Sequence, residues 1–319
     1  MTTNAIDDLI DVRLTCIRYA ARDTFILEMR KADGSPLPEV EPGAHINIHL
    51  PNNLIRQYSL LHTGPALTAY SIGVKRDPNS RGGSVFMHDQ LRVGSPLKIS
   101  QPRNHFALQL DAAESVLVAG GIGITPLYCM ATRLAELYKP WRLFYAARTR
   151  ADAAFLEELA PHENVMFHFD DEQAGNILDL GAIIRNAPIL SHFYCCGPTP
   201  MIKAFEAAAR DVPSERVHVE YFTAASTPAL EGGFVVELAR SKMEFSIPKG
   251  KTILEILMAA GVQVPHSCES GVCGSCETRI LMGQADHRDS ILDARERAEG
   301  RTMMICCSGS KSERLVLDL

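Results

Sequence analysis

The spacing of a few cysteines near the end of the chain limits most sharply what it can fold into. Residues 268–276 read CESGVCGSC, that is Cys268-x4-Cys273-x2-Cys276, and Cys306 and Cys307 follow downstream. This is the plant-type spacing of a [2Fe–2S] cluster, C-x4-C-x2-C…C. Three thiolates from one tight loop converge on a rhombic cluster, and a fourth closes it from another element. Gly271 and Gly274 let the loop fold tightly enough for backbone N–H groups to face sulfur. Ser270 and Ser275 offer side-chain donors, and such bonds tune a reduction potential. A structural zinc site is the competing reading. Zinc more often takes C-x2-C pairs on both sides, and here only one side has a pair. The run Met303-Met304-Ile305 is strand-like, so the Cys306 and Cys307 thiols are expected to point opposite ways. Either could supply the fourth ligand.

The remaining four cysteines, Cys16, Cys129, Cys195 and Cys196, are scattered. An odd total of nine argues against a disulfide framework. With 319 residues there is room for two or three domains. The net charge of −6 argues against non-specific nucleic-acid binding, which wants a basic surface. No stretch approaches the roughly 18–20 apolar residues that span a bilayer. Residues 1–14 carry Asp7, Asp8 and Asp11 and lack a signal peptide's basic and apolar regions. No membrane association is expected, and a cytoplasmic location is the default.

The first hundred residues read as β. Ile46, Ile48 and Leu50 alternate with Asn47 and His49, and Tyr70, Ile72 and Val74 with Ser71, Gly73 and Lys75. That is the period of half-buried strands, and turn clusters between the runs suggest an antiparallel barrel. The middle alternates: strands over 115–119, 142–146, 165–169 and 193–196, helices over 126–137, 151–159 and 200–210. That pattern implies a parallel sheet with crossovers. The stretch 224–233, AASTPALEGG, reads as a linker. The expected domains are therefore 1–109, a β-barrel; 110–223, an α/β nucleotide domain; and 234–319, an α+β plant-type ferredoxin domain.

Two anion cradles stand out. Residues 116–126 run strand, glycine turn, helix (VLVAGGIGITP), placing free N–H groups and a helix dipole where a pyrophosphate could sit. Pro126 replaces the last glycine of the G-x-G-x-x-G fingerprint and suits a first helical position. Cys196-Gly197-Pro198 ends a later strand and faces the same crevice at the carboxyl edge of the sheet. Cys195 reads as an ordinary buried strand cysteine. In the first domain, Arg56 and Tyr58 share a strand face, a guanidinium for phosphate and a phenol for stacking on an isoalloxazine. Arg81-Gly82-Gly83-Ser84 precedes a helical stretch, with Ser84 as a cap. Each motif alone is as well explained by ordinary structure; their order is what carries weight.

Taken in order, RQYS, RGGS, GGIGITP, CCGPTPM, EYF and CESGVCGSC make the whole chain resemble the phthalate dioxygenase reductase family of electron-transfer components. The resemblance implies a flavin barrel, a nicotinamide domain and a C-terminal ferredoxin domain. It implies FMN rather than FAD, held through Arg56, Tyr58 and Ser59, the adjoining Val74 and Lys75, and the loop Arg81, Gly82, Gly83 and Ser84. Gly121, Gly123 and Thr125 correspond to the nucleotide turn, Cys196 and Gly197 to the nicotinamide side, and Phe222 to an aromatic near the flavin. It makes Cys306 the fourth cluster ligand, with Cys268, Cys273 and Cys276, and Cys307 a packing residue. NADH is the expected donor; Arg148 and Arg150 follow the second strand of the nucleotide domain, where a 2′-phosphate could be held.

NADH yields two electrons together and a [2Fe–2S] cluster accepts one, so the flavin is the adapter. Hydride transfer needs no acid–base residue, and none is assigned. The resemblance implies a separate oxygenase component as partner, of Rieske type. A cytochrome or ferric-complex reductase is the second reading, and a non-enzymatic, zinc-stapled binding protein the third.

Overall fold

The computed structural model describes residues 9–52, 54–79, 82–224 and 226–319. Contacts divide the chain into two units, one running to Phe222 and the other from Thr223 to Leu319.

The first unit opens with β1 (Ile10–Ala21), β2 (Thr24–Arg30), β3 (His45–His49), β4 (Ile55–Ser59), β5 (Tyr70–Lys75), α1 (Gly83–Asp89) and β6 (Pro96–Ile99). Its strands form one antiparallel sheet, β4-β3-β6-β1-β2-β5. A Leu60–Ile72 bridge joins the two ends and curls it into the expected barrel. Val12, Leu14, Leu27, Ile46, Ile48, Ile72, Leu97 and Ile99 fill the interior. The expected half-burial does not hold: His45 and Asn47 in β3 and Ser71 in β5 are buried too. Their strands are covered on both faces, so the alternation in chemistry marks two buried surfaces, one polar.

β7 (Ser115–Gly120), α2 (Ile124–Glu136), β8 (Trp141–Ala147), α3 (Leu156–Leu159), β9 (Val165–Phe169), α4 (Leu180–Arg185), β10 (His192–Cys196), α5 (Thr199–Ala208) and β11 (Val217–Glu220) complete this unit. The strands make an all-parallel sheet, β11-β10-β7-β8-β9. The chain builds outward from β7 to β9 and then returns to the other flank of β7. The order reverses between β7 and β10, the place where open α/β sheets bind ligands.

Two helix expectations change. α2 begins at Ile124, directly after a 3-10 turn over Gly121–Gly123, which puts Pro126 at its third residue rather than its first. The first-turn amides need no intrahelical acceptor, so proline costs nothing there. The helix expected over 151–159 is broken. Phe155 lies at φ 62° and stacks on Tyr128 at 4.2 Å, separating a 3-10 turn over Arg150–Asp152 from the short α-helix over 156–159. Burial of that ring in the core outweighs the local strain. One apolar cluster joins Ala21, Ile26, Leu61 and Phe106 to Leu127, Met130 and Tyr145, so the barrel and the parallel sheet share a core.

Among the described residues of 224–233 the second unit has no helix or strand, although Ala229 is buried and its N–H bonds to the Cys307 carbonyl at 2.8 Å. β12 (Phe234–Leu238), β13 (Met243–Ile247), α6 (Ile253–Ala259), β14 (Glu277–Met282), β15 (Ala285–Asp286), α7 (Ala294–Glu299), β16 (Thr302–Met304), β17 (Gly309–Ser310) and β18 (Arg314–Leu317) follow. The main sheet is mixed, β13-β12-β18-β14-β16, with β12 and β18 parallel. α6 and α7 each start on a reciprocal capping box, Thr252/Glu255 and Asp293/Glu296. Leu254, Leu257, Val236, Met303 and Leu315 form the core under the cysteine loop.

Candidate flavin, nucleotide and iron–sulfur sites

All five cysteines of the C-terminal unit are buried. Glu269, Gly271 and Gly274 adopt positive φ, at 52°, 72° and 72°, which winds 268–276 into a loop with its amides turned inward. The N–H groups of Ser270 and Val272 point at Cys268 Sγ at 3.4 and 3.5 Å, and those of Cys268 and Ser275 at Cys273 Sγ at 3.5 Å. Ser275 Oγ also lies 3.4 Å from Cys273 Sγ, whereas Ser270 Oγ turns away to the Cys268 carbonyl. The Cys268 thiol is the principal neighbour pushing Cys273 up, and the Cys306 thiol does the same to Cys276. Four buried thiols, three from one loop and one from the turn after β16, make up the donor set. Its number and spacing are those of a two-iron cluster with two thiolates per iron.

Cys306 and Cys307 lie in a turn after β16, so they do not alternate on a strand as expected. The turn nonetheless separates them. Cys307 Sγ faces the Met304 carbonyl at 3.8 Å and closes over Gly271, where an added Cβ would stand 2.5 Å from it.

At the reversal of the parallel sheet the two glycine turns touch. A Cβ on Gly123 would stand 2.2 Å from the Cys196 carbonyl oxygen and 2.7 Å from Gly197 N; one on Gly120 would meet the Gly197 Cα at 3.2 Å. Gly120 and Gly123 therefore let the two turns pack backbone against backbone, which sets the start of α2, the place for a pyrophosphate, at the sheet's reversal. Gly121 has φ 53° and open space where a Cβ would be. Thr125 is buried, its hydroxyl on the Ile122 carbonyl. The Cys196 side chain is fully buried, and burial holds its thiol well above the usual range. Only the backbone of Cys196 reaches the turn. Arg148 is exposed.

On the barrel, Arg56 and Tyr58 share a face of β4 opposite Ile48 and Ile46. The Arg56 side chain crosses the start of α1: a Cβ on Gly83 would stand 2.4 Å from Nε, 2.6 Å from Cγ and 2.9 Å from Cδ. Gly82, at φ 84°, turns the chain into that helix. First-turn amides and a guanidinium converge there, and a phosphate fits. Ser84 is not the cap. Gly82 holds that position, and the Ser84 hydroxyl accepts from Asp77 N at 3.1 Å. Val74 is buried in the barrel, so only its backbone can serve a ligand; its carbonyl accepts from His88 Nε2 at 2.9 Å. Lys75 is half-buried at the end of β5. Arg81 lies outside the described residues. Phe222 is 39% exposed just beyond β11.

Glu220 was not singled out from the sequence. It ends β11 beside Cys196, and burial pushes its carboxyl up to about 8, against a downward pull from the Ser59 hydroxyl. Glu220 Oε2, Ser59 Oγ and Gln57 Oε1 are buried without full hydrogen-bond geometry to any partner among the described residues. Unsatisfied polar atoms of this kind beside the Arg56–Tyr58 strand fit a polar heterocycle such as the flavin ring. The local signals for Glu220 were its place in the EYF motif, where Phe222 drew the assignment, and a charge closing a half-apolar strand.

Comparison with known proteins agrees with this geometry. The 2Fe-2S iron-sulfur cluster binding domain family matches residues 236–310, and the oxidoreductase NAD-binding domain family residues 117–207. Phthalate dioxygenase reductase of Burkholderia cepacia is 40% identical over 324 residues, covering 100% of both chains. A solved structure of phthalate dioxygenase reductase superposes with a TM-score of 0.74 at 39% identity, again over 100% of each chain. This chain belongs to the phthalate dioxygenase reductase family. Phenoxybenzoate dioxygenase subunit beta of Ectopseudomonas oleovorans is 51% identical over 311 residues, 97% of each chain. An intact type IV self-sufficient cytochrome P450 monooxygenase aligns with a TM-score of 0.88 at 36% identity, over 98% of this chain and 41% of that one. As a family member the chain is an NADH-dependent oxidoreductase with FMN and a [2Fe–2S] cluster, a reductase component for an oxygenase. Among the described residues no helix is long and apolar enough to cross a membrane.

Proposed function

We propose that this reductase takes electrons from NADH and passes them singly to a Rieske-type mono- or dioxygenase or demethylase in the cytoplasm. The observation that carries this reading is the buried cysteine loop 268–276, whose backbone amides turn onto the Cys268 and Cys273 sulfurs, with Cys306 buried in the turn after β16. Bound FMN supplies the two-electron to one-electron conversion, and the cluster supplies single-electron transfer.

The chain's own residues do the placing. Arg56, with the amides of Gly82, Gly83 and Ser84, holds the flavin phosphate, and Arg81 precedes them in sequence. Tyr58, Ser59, Val74 and Lys75 border the ring, and Phe222 covers it. Gly121, Gly123 and Thr125 orient the NADH pyrophosphate, and Cys196 and Gly197 border the nicotinamide. Arg148 lies toward the adenosine. Cys268, Cys273, Cys276 and Cys306 ligate the cluster, in a domain spanning 234–319. The barrel, 1–109, and the nucleotide domain, 110–223, precede it.

The partner is tested by mixing this protein with the oxygenase and NADH under anaerobic conditions. Reduction of the oxygenase's Rieske centre only when this chain is present supports the reading. Reduction of a cytochrome with no reduction of any Rieske centre would redirect it.

A further inference from the structure

Two arginines, Arg148 and Arg150, stand where the sequence left room for a 2′-phosphate, yet the protein is an NADH reductase. The structure shows what one of them does. Arg150 Nε donates to Glu172 Oε1 at 2.5 Å and Nη2 to Oε2 at 3.0 Å, a two-point ion pair. Its guanidinium carbon also lies 4.6 Å above the Phe169 ring. The backbones of the two loops are zipped together: Asp170 N donates to the Ala147 carbonyl and Asp171 N to the Arg148 carbonyl, at 3.1 and 3.2 Å. Arg150 and Glu172 therefore face each other beyond the carboxyl ends of adjacent strands, β8 and β9.

The position matters because of the sheet order. The glycine turn that would hold the pyrophosphate follows the central strand, β7. The hydride-donating half must reach the flavin, and Glu220 and Ser59 put the flavin motif on the β10/β11 side. The adenosine half then extends over the ends of β8 and β9, where Arg150 sits. This step rests on the nucleotide site proposed above.

We propose that Glu172 sets the nucleotide preference: by pairing with the Nε–Nη2 edge of the Arg150 guanidinium it neutralises that cation and withholds it from a 2′-phosphate. That contact occupies one bidentate edge of the guanidinium and offsets its charge, and the carboxylate itself repels a phosphate. Asp170 and Asp171 in the same turn add charge of the same sign. Both partners are largely exposed, with side-chain exposures of 64% and 42%, so removing the carboxylate leaves the core intact.

The test is calorimetric binding of 5′-AMP and 2′,5′-ADP to the holoprotein, its Glu172→Ala variant and the Glu172→Ala/Arg150→Ala double variant. Glu172→Ala is expected to shift the affinity ratio toward 2′,5′-ADP by roughly tenfold or more, the worth of one charge-assisted contact. The double variant should lose that gain. An unchanged ratio in Glu172→Ala, or a gain that survives loss of Arg150, overturns the proposal. Failure of the unaltered protein to bind either nucleotide would overturn the nucleotide site itself.

Discussion

Arg56 and Gly83 allow one site to be perturbed in two ways. Arg56→Ala removes the guanidinium proposed to hold the flavin phosphate. A hydrogen bond to a charged group contributes about 1.5–3 kcal/mol, so FMN affinity should fall roughly ten- to a hundredfold. Gly83→Ala keeps the arginine but places a methyl 2.4–2.9 Å from its Nε, Cγ and Cδ atoms, too close for any of them to stay. Alanine is the better helix former by about 1 kcal/mol, so α1 itself should not suffer. The displaced guanidinium can swing partly back, and a loss of about three- to tenfold is expected. The decisive quantity is the double variant. If Gly83→Ala acts by moving Arg56, it should weaken FMN little once Arg56 is gone, a coupling of about 1 kcal/mol. Fluorescence titration of the apoprotein with FMN measures all four affinities. A full Gly83→Ala loss in the Arg56→Ala background would refute the argument, because the effect would then belong to the loop and not to the arginine.

Other consequences are independent of that site. Gly123→Ala should weaken 5′-AMP binding about tenfold or more, because its methyl would meet the Cys196 backbone at 2.2 Å and no flexible side chain can yield; equilibrium dialysis measures it. Glu220 is protonated in the fold up to about pH 8 and ionised in the unfolded chain above its ordinary value near 4.5. Stability should therefore fall as pH rises from about 5 to 8 and level off beyond, and Glu220→Gln should flatten that slope in thermal melts of the apoprotein. Thr252→Ala removes one half of a capping box and should cost about 1 kcal/mol in denaturant unfolding.

Much of the site was legible because its chemistry is local. The x4, x2 cysteine spacing and the glycine turns are fixed by a few consecutive residues, and the structure places them as loops over strand ends. The breaks in legibility lie where tertiary contacts decide. Phe155 interrupts a helical pattern because its ring is drawn onto Tyr128. Cys306 and Cys307 follow a strand that ends at Met304, so the argument from strand alternation did not apply, although the thiols do diverge. Ser84 looked like a cap by residue type, but Gly82 takes the left-handed turn and leaves the serine inside the helix. Glu172 belongs to no motif, and Glu220 opens the EYF motif without a role of its own there. Their roles arise from residues 161 and 22 positions away, Ser59 and Arg150, and only the fold brings these together.

The central claim is that electrons reach the partner through a cluster held by Cys268, Cys273, Cys276 and Cys306. The most direct test is anaerobic NADH reduction of the purified protein and its Cys276→Ser variant, followed by optical and electron paramagnetic resonance spectra. The unaltered protein should contain FMN, iron and acid-labile sulfide, bleach its flavin absorbance and develop the resonance of a reduced [2Fe–2S] cluster. Cys276→Ser should still bleach its flavin and reduce ferricyanide, but show no cluster resonance and a sharp loss of transfer to the oxygenase. A variant that lacks the cluster yet reduces the oxygenase at the unaltered rate would contradict the account.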